Sequence, residues 1–288
     1  AFGDVQYDID VLAEKTIIDE INKNLTGATI VSEESGIREG NTDLFVLIDP
    51  LDGSLNSIRQ IPLFSSTIAI AKGDKFSDII AAGVIDIIHG ELYLGNTKKA
   101  TANNIPIKPN TIEKLNEALI AIDLNIRSEK ASKAYQNMIK IFEITKAQRI
   151  LGSAIMENVY VATGAIDAFI APSKQLRTFD CLPAMYIGKQ AGLFIRFLNE
   201  KNDFDLLSKE GVSYVSACTE TLGNNILNEL EYYNWYTLLE ERSAGVILFN
   251  KTEEIQFLVL KYPSGHWDFV KGNIEEGEEE EETARREL

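Results

Sequence analysis

The chain has 288 residues and a formal net charge of −16, from 28 Lys+Arg against 44 Asp+Glu. Hydrophobic residues at 45% and aromatics at 9% supply a sizeable core and exclude a disordered or low-complexity protein. The acidic balance argues against non-specific nucleic-acid binding, because no excess of cations is available to replace phosphate counterions. No apolar run reaches the roughly 18 residues of a membrane span, so no membrane partner is expected. The opening AFGDVQYDID is acidic and polar, unlike a signal peptide. Cys181 and Cys218 make neither a disulfide framework nor a zinc spacing, which fits a reducing cytoplasm. With only His89 and His266, hydrolytic chemistry is expected to run on carboxylates and hard metal ions. The chain opens at Ala1 and closes at Leu288 inside a Glu-rich run, so it reads as a fragment.

Asp10 precedes Val11, Ile18, Ile21 and Leu25, a spacing that predicts an amphipathic helix. ATIVSEES predicts a strand ending in acidic residues, and LFVLIDPLDGS a strand stopped by Asp-Pro and Asp-Gly. STIAIAKG, IIAAGVIDII and GELYLGN follow as strands separated by Gly-containing turns. ALIAIDL is another strand, ASKAYQNMIKIFEIT and SAIMENVYVATG are helices, and IDAFIAP is a strand. A helix is predicted from Asp180 to Gln190 with Pro183 in its first turn, and TETLGNNILNEL is a last turn or helix. Strands and helices mix without strict βαβ alternation, so the fold class is a layered α/β (α+β) sandwich. Pattern and composition change near Glu231: SAGVILFN and IQFLVLKY are two strands split by the polar turn KTEE. The expected domains are therefore 1–230 and 241–288, joined by a linker over 231–240.

The heptad from Ile48 to Ser54 is the most informative stretch. Asp49 and Asp52, three apart at a strand end, suit shared coordination of divalent metal, since Mg2+ takes hard oxygen ligands and keeps positions for phosphate. Gly53 and Ser54 offer backbone N–H groups to a phosphate where the turn enters the next element. Asp-Pro and Asp-Gly are also ordinary turn formers.

IDPLDGS resembles the central motif of the inositol monophosphatase/fructose-1,6-bisphosphatase superfamily of Mg2+-dependent, lithium-sensitive sugar phosphatases. Further likenesses follow in that family's order: Asp10 to Glu14, the turn Ser32 to Ser35, RILGSA from Arg149, VATGAIDA from Val161, and the segment Thr178 to Ala184. They cover residues 1 to about 230. The resemblance implies that Glu33, Asp49, Asp52, Asp180 and the Leu51 carbonyl hold two or three Mg2+ ions. It implies that Ser54, with Asp10 behind it and Glu33 alongside, orients the attacking water. For Asp10 and Asp180 an N-cap role is the plain alternative. His89 and Cys181 are expected to be structural.

Against that resemblance, the segment from Ala171 to Phe179 carries Lys174 and Arg177 and lacks the Glu that animal-type inositol phosphatases place there; a surface loop with two solvated cations is the plain alternative. A basic residue there suits a second phosphate, as on fructose-1,6-bisphosphate, and the pattern is similar to the archaeal-type dual-activity enzymes. Gly53, Ser54, Asn125, Arg127 and Arg177 are the expected substrate contacts, with Ser128 nearby. The implied partner is a small phosphorylated metabolite, and the family's habit implies a homodimer. Adenosine 3′,5′-bisphosphate is the alternative substrate, and a non-catalytic module that keeps the fold is the alternative role.

Gly272, five residues, Glu278, seven residues, then Arg286-Glu287-Leu288 resembles the opening of a Nudix box. Trp267 to Gly272 is similar to the entry of its diadenosine-polyphosphate branch, with Val270 where Pro is usual. The plain alternative is a Glu-rich helix with Arg285 and Arg286 at its C-terminal end. The box's later metal-binding glutamates lie past Leu288, so no Nudix activity is expected of this polypeptide; that activity would belong to a longer parent.

Overall fold

The computed structural model describes residues 8–125, 134–135, 138–198, 203–232, 243–251, 255–261, 267–273, 278–286 and 288. The chain divides into two compact units, Ala1–Tyr233 and Asn234–Leu288. Among the described residues no helix is long and apolar enough to cross a membrane.

The first unit opens with α1 (Asp8–Asn24), which turns Ile18 and Ile21 inward. They pack with Ile30 of β1 (Thr29–Ser32) and with Val46 and Ile48 of β3 (Phe45–Asp52), burying one face of a sheet. β1 runs parallel to β3 and antiparallel to β2 (Gly36–Arg38). After the short α2 (Ser54–Ile58) the chain makes an antiparallel meander. Its strands are β4 (Ser65–Ala71), β5 (Ile79–Asp86), β6 (Glu91–Asn96), β7 (Lys99–Ala102) and β8 (Ile105–Pro106). The eight strands lie in the order β2-β1-β3-β4-β5-β6-β7-β8.

A second sheet follows from β9 (Leu119–Ile122), β10 (Ala147–Arg149), β11 (Ala168–Leu176), β12 (Phe194–Phe197) and β13 (Val212–Ala217). Their order is β10-β9-β11-β13-β12, with β9 parallel to both its neighbours. Among the described residues the unit also has helices α3 (Ile139–Ile144), α4 (Ala154–Thr163), α5 (Thr178–Ala191) and α6 (Glu220–Tyr232). α5 packs on β3 to β7 of the first sheet, on β12 and β13 of the second, and on α4. Residues Thr178 to Gly188 are accordingly buried without a break, as expected of a helix covered on all sides. α1 and α6 cover outer faces, so the layers alternate helix, sheet, helix, sheet, helix.

The predicted strands and helices of this unit recur, with two differences of substance. α5 starts two residues earlier than Asp180, because the Asp180 carboxylate reaches back to the Arg177 N–H (2.7 Å) and supports the opening turn. Pro183 therefore falls in the second turn, where it removes an intrahelical donor. The predicted helix over 131–145 lies partly outside the described residues, which show α3 at its end.

In the second unit the two predicted apolar strands each break in two. β14 (Ser243–Val246) pairs with β19 (Val270–Asn273), and β15 (Phe249–Lys251) forms a hairpin with β16 (Ile255–Phe257). β17 (Leu260–Lys261) pairs with β18 (Trp267–Asp268), and α7 (Glu280–Arg286) packs on β14 and β19.

One close approach shapes the route into α5. β11 and β13 slip register between Ala171 and Leu176, so residues 172–175 arch away from the ladder. Gly211 sits against this arch: a Cβ there would fall 1.9 Å from the Lys174 carbonyl oxygen and 2.4 Å from its carbon. Gly211→Ala must push backbone against backbone and is expected to cost about 1–3 kcal/mol of stability, read as a lowered urea midpoint. A midpoint within error of the parent would show that the arch yields freely.

Candidate active site

The site begins with the period of β3. Val46 and Ile48 face α1, whereas Leu47 belongs to the core beneath α4 and α5. Side chains two apart share a face, so Asp49 follows Leu47 toward α5. It is 2% exposed, and its Oδ1 accepts the Leu51 N–H at 3.1 Å. The parallel register sets Ser32 beside Ile48, which brings Glu33, the next residue, abreast of Asp49. Asp180 is the third residue of α5. Ligand atoms of Glu33, Asp49 and Asp180 all lie within 4.8 Å of one another.

Glu14 holds the turn that carries Glu33. Its Oε1 accepts the Ser32 hydroxyl and both the N–H and hydroxyl of Ser35, the latter two at 2.9 Å. Asp10 lies one helical turn earlier on the same buried face of α1. It stands inside the helix, whose described part begins at Asp8.

Asp52 stands beside the three-carboxylate cluster. The β3–β4 register shifts between Asp49 and Asp52, and the Asp52 carboxylate accepts the Ser153 hydroxyl and, at 3.4 Å, that of Ser65. Ser153 also caps α4, accepting the Met156 N–H at 3.2 Å. Beyond Asp52, Gly53 takes a left-handed φ of 83° and turns β3 into α2. Ser54 donates its hydroxyl to the Leu51 carbonyl at 2.8 Å.

Burial pushes the Glu33 carboxyl up to about 7; Arg177 opposes the shift and Asp180 adds to it. Asp52 is raised to about 7 by burial against the opposing Ser153 hydrogen bond. Asp49 is held well above the carboxylate range by burial, then by Glu33, Asp52 and Asp180. Like charges crowded in a dry site are costly unless a cation joins them. A hard, all-oxygen donor set of this kind fits a divalent ion such as Mg2+. Arg177 is drawn into the same cluster: its Nη2 lies 2.6 Å from Glu33 Oε1 and 3.1 Å from Asp180 Oδ1, and its Nε 2.9 Å from Asp180 Oδ2. Burial pushes the Cys181 thiol up, which suits packing and not nucleophilic attack.

The description of the inositol monophosphatase family matches residues 2–231. The chain belongs to the inositol monophosphatase family. A NUDIX domain description matches residues 239–288 of the same chain. The fructose-1,6-bisphosphatase/inositol-1-monophosphatase of Archaeoglobus fulgidus is 31% identical over 189 residues, 64% of this chain and 66% of that protein. The Nus factor SuhB of Escherichia coli is 31% identical over 193 residues, 66% of this chain and 70% of that protein. A solved structure from Pyrococcus horikoshii, described as similar to inositol-1 monophosphatase, superposes with a TM-score of 0.66 at 30% identity. That superposition covers 79% of this chain and 86% of the other. The inositol monophosphatase family is one of phosphoric monoester hydrolases, and the sheets and helices of the first unit are of its type.

Of the residues singled out in the sequence as inositol monophosphatase-like, Glu33, Asp49 and Asp180 meet in one cluster, with Asp52, Leu51 and Ser54 at its border. Asn125, just past β9, donates its N–H to the Tyr135 hydroxyl at 2.8 Å. Arg127 and Ser128 lie outside the described residues, as does Glu287. Lys174 is exposed on the arch, while Arg177 turns to the carboxylates. In the second unit Gly272 lies on β19, and Glu278 accepts a forked pair from Arg286 at 2.8 and 3.0 Å. Sequence reasoning missed the supporting parts of Glu14 and Ser153. Glu14 was signalled by its i+4 spacing from Asp10, and Ser153 by the cap position before an apolar helix.

Glu157 adds a titrating group behind Asp52. It is 2% exposed in the first turn of α4, accepts the Leu151 N–H at 2.8 Å, and is raised from 4.5 to about 8 by burial, with Asp123 and Asp52 adding to the shift. The folded state holds this proton more tightly than the unfolded state. Its contribution is therefore complete below about pH 4.5 and is lost as pH rises through about 8. Glu157→Gln keeps an acceptor for Leu151 and cannot ionise. Relative to the parent it should gain on the order of 1–3 kcal/mol between pH 5 and pH 8.5 in urea titrations. Parallel pH profiles for the two proteins would refute this.

Proposed function

We propose that this chain is a Mg2+-dependent phosphomonoesterase acting on a small sugar or polyol phosphate, fructose-1,6-bisphosphate or inositol-1-phosphate or both. The observation that carries the reading is the convergence of Glu33 from the turn after β1, Asp49 from β3 and Asp180 from α5 onto one largely buried point. These three, with Asp52 and the Leu51 carbonyl, are the groups that would hold two or three ions. Bound there, divalent magnesium supplies positive charge that polarises a phosphate ester and makes water a better nucleophile.

The chain's own residues then have distinct tasks. Ser54, having donated its hydroxyl hydrogen to the Leu51 carbonyl, can accept a hydrogen bond from the attacking water. Asp10 supplies the carboxylate behind it, on a helix held to the Glu33 turn through Glu14. Gly53 and Ser54 receive the phosphate through backbone N–H groups at the strand-to-helix turn. Asn125 and Arg127 are assigned to the organic part of the substrate. Holding Asp10, Gly53 and Ser54 on α1 and at the β3–α2 turn fixes the line of attack before substrate arrives, which is where positioning lowers a barrier.

The test is phosphate release from fructose-1,6-bisphosphate, inositol-1-phosphate and adenosine 3′,5′-bisphosphate, with Mg2+ and with chelator. Release from the first or second should require Mg2+ and vanish in Asp49→Asn, which keeps an oxygen for the Leu51 N–H. Turnover that persists in chelator or in Asp49→Asn would sink the metal reading. A preference for adenosine 3′,5′-bisphosphate would overturn the substrate assignment.

A further inference from the structure

Arg177 holds a position that the phosphatase reading alone does not call for. The arch of β11 delivers it to the first position before α5, where its guanidinium stacks on the Phe179 ring with Cζ 4.8 Å from the centroid. Phe179 is 1% exposed, so the platform is rigid. From there Nη2 donates to Glu33 at 2.6 Å and to Asp180 at 3.1 Å, while Nε donates to Asp180 at 2.9 Å. Two of the three carboxylates that meet within 4.8 Å thus already share one cation, and that cation belongs to the chain.

Charge-assisted bonds of this geometry are among the stronger ones in proteins, and they occupy the oxygen lone pairs that a metal ion needs. Mg2+ sits at roughly 2.0–2.1 Å from its oxygens, inside the reach of any guanidinium bonded to the same atoms. A divalent ion and a guanidinium sharing these oxygens would also repel each other across a half-dry site. An ion entering at the Glu33–Asp180 side therefore meets the Arg177 fork on oxygens it would use.

We propose that Arg177 is a built-in counter-cation of the acidic cluster, which competes with divalent metal for the Glu33 and Asp180 oxygens and so sets the affinity at which the site loads. The proposal rests on the phosphatase reading in taking this cluster as the metal site. It makes the cluster partly charge-compensated at low metal and responsive to metal concentration. A purely structural ion pair would have no such effect on loading.

Mn2+ binding to the full chain, followed by calorimetry and by the paramagnetic signal of free ion, tests this without recourse to turnover. Arg177→Gln should bind Mn2+ at least about fivefold more tightly than the parent, the lower end of ordinary coupling between competing ligands. It should also melt lower in chelator and gain more from Mn2+. Arg177→Lys keeps the charge but gives up the fork, and should fall between the two. It serves as the decisive variant if Arg177→Gln does not fold. Unchanged or weaker Mn2+ affinity in the folded variants overturns the competition. Asp49→Asn separates the two layers of argument. Parent binding that is indifferent to Asp49 defeats the metal reading itself. Binding that depends on Asp49 but not on Arg177 defeats only the present inference.

Discussion

Three carboxylates drawn within 4.8 Å of one another in a buried site are the constraint to which the first unit answers. The cluster has given up most of its water, and each neighbour of like charge raises the cost of ionisation. The fold meets this cost with donors supplied from different directions. Leu51 offers a backbone N–H to Asp49, Ser153 a hydroxyl to Asp52, and Arg177 both its backbone and its guanidinium to Asp180. The carboxyl of Asp180 also lies at the positive end of α5. Glu14, itself buried, spends its acceptor oxygen on Ser32 and Ser35, so the turn that carries Glu33 is tied to α1 and not only to the sheet.

What could be seen in advance of this arrangement depended on how local each signal was. The end of β3 was legible because Asp-Pro and Asp-Gly after five apolar residues stop a strand, and because IDPLDGS has a family likeness of its own. α4 and α5 were legible from their apolar runs and from Gly164 and Gly192, which end them in the left-handed conformation. β12 and β13 went unread, since FIRF and VSYVSA are short and lack strict alternation, and they take their strand form from pairing with each other and, for β13, with β11. The same holds for β2, β7, β8 and β10, which are two to four residues long. Arg177 was noticed for its charge and given to a second phosphate; that its fork reaches Glu33, 144 positions away, is a fact of tertiary structure that no local pattern contains.

The second unit shows the opposite balance between pattern and packing. Its sheets are pairs of strands two to four residues long, and the two apolar runs that read as continuous strands are each broken in the middle. Yet the spacing from Glu278 to Arg286 has a direct physical counterpart. Glu278 precedes α7, Arg286 ends it, and the forked pair between them closes the helix on itself, with the buried Thr283 donating to the same carboxylate at 2.6 Å. A Glu and an Arg at this interval thus brace a helix whatever else they do.

The burial of α5 on both faces bears on how the first unit holds together as a thermodynamic object. A sheet formed from residues 29–106 and another from residues 119–217 look like two half-molecules in the chain order, each with strands enough to stand alone. Neither is independent, because α4 and α5 pack on each other between them: α5 covers β3 to β7 of the first sheet and touches β12 and β13, α4 packs on β11 and β13, and one core cluster takes residues from both sheets. Removing the first sheet would strip α5 of most of its sheet cover, and removing the second would expose α4, so either loss opens the shared core. A core shared in this way is expected to make the two sheets melt together and not as separable subdomains. The acidic cluster, drawn from the turn after β1, from β3 and from α5, is assembled or lost with that core.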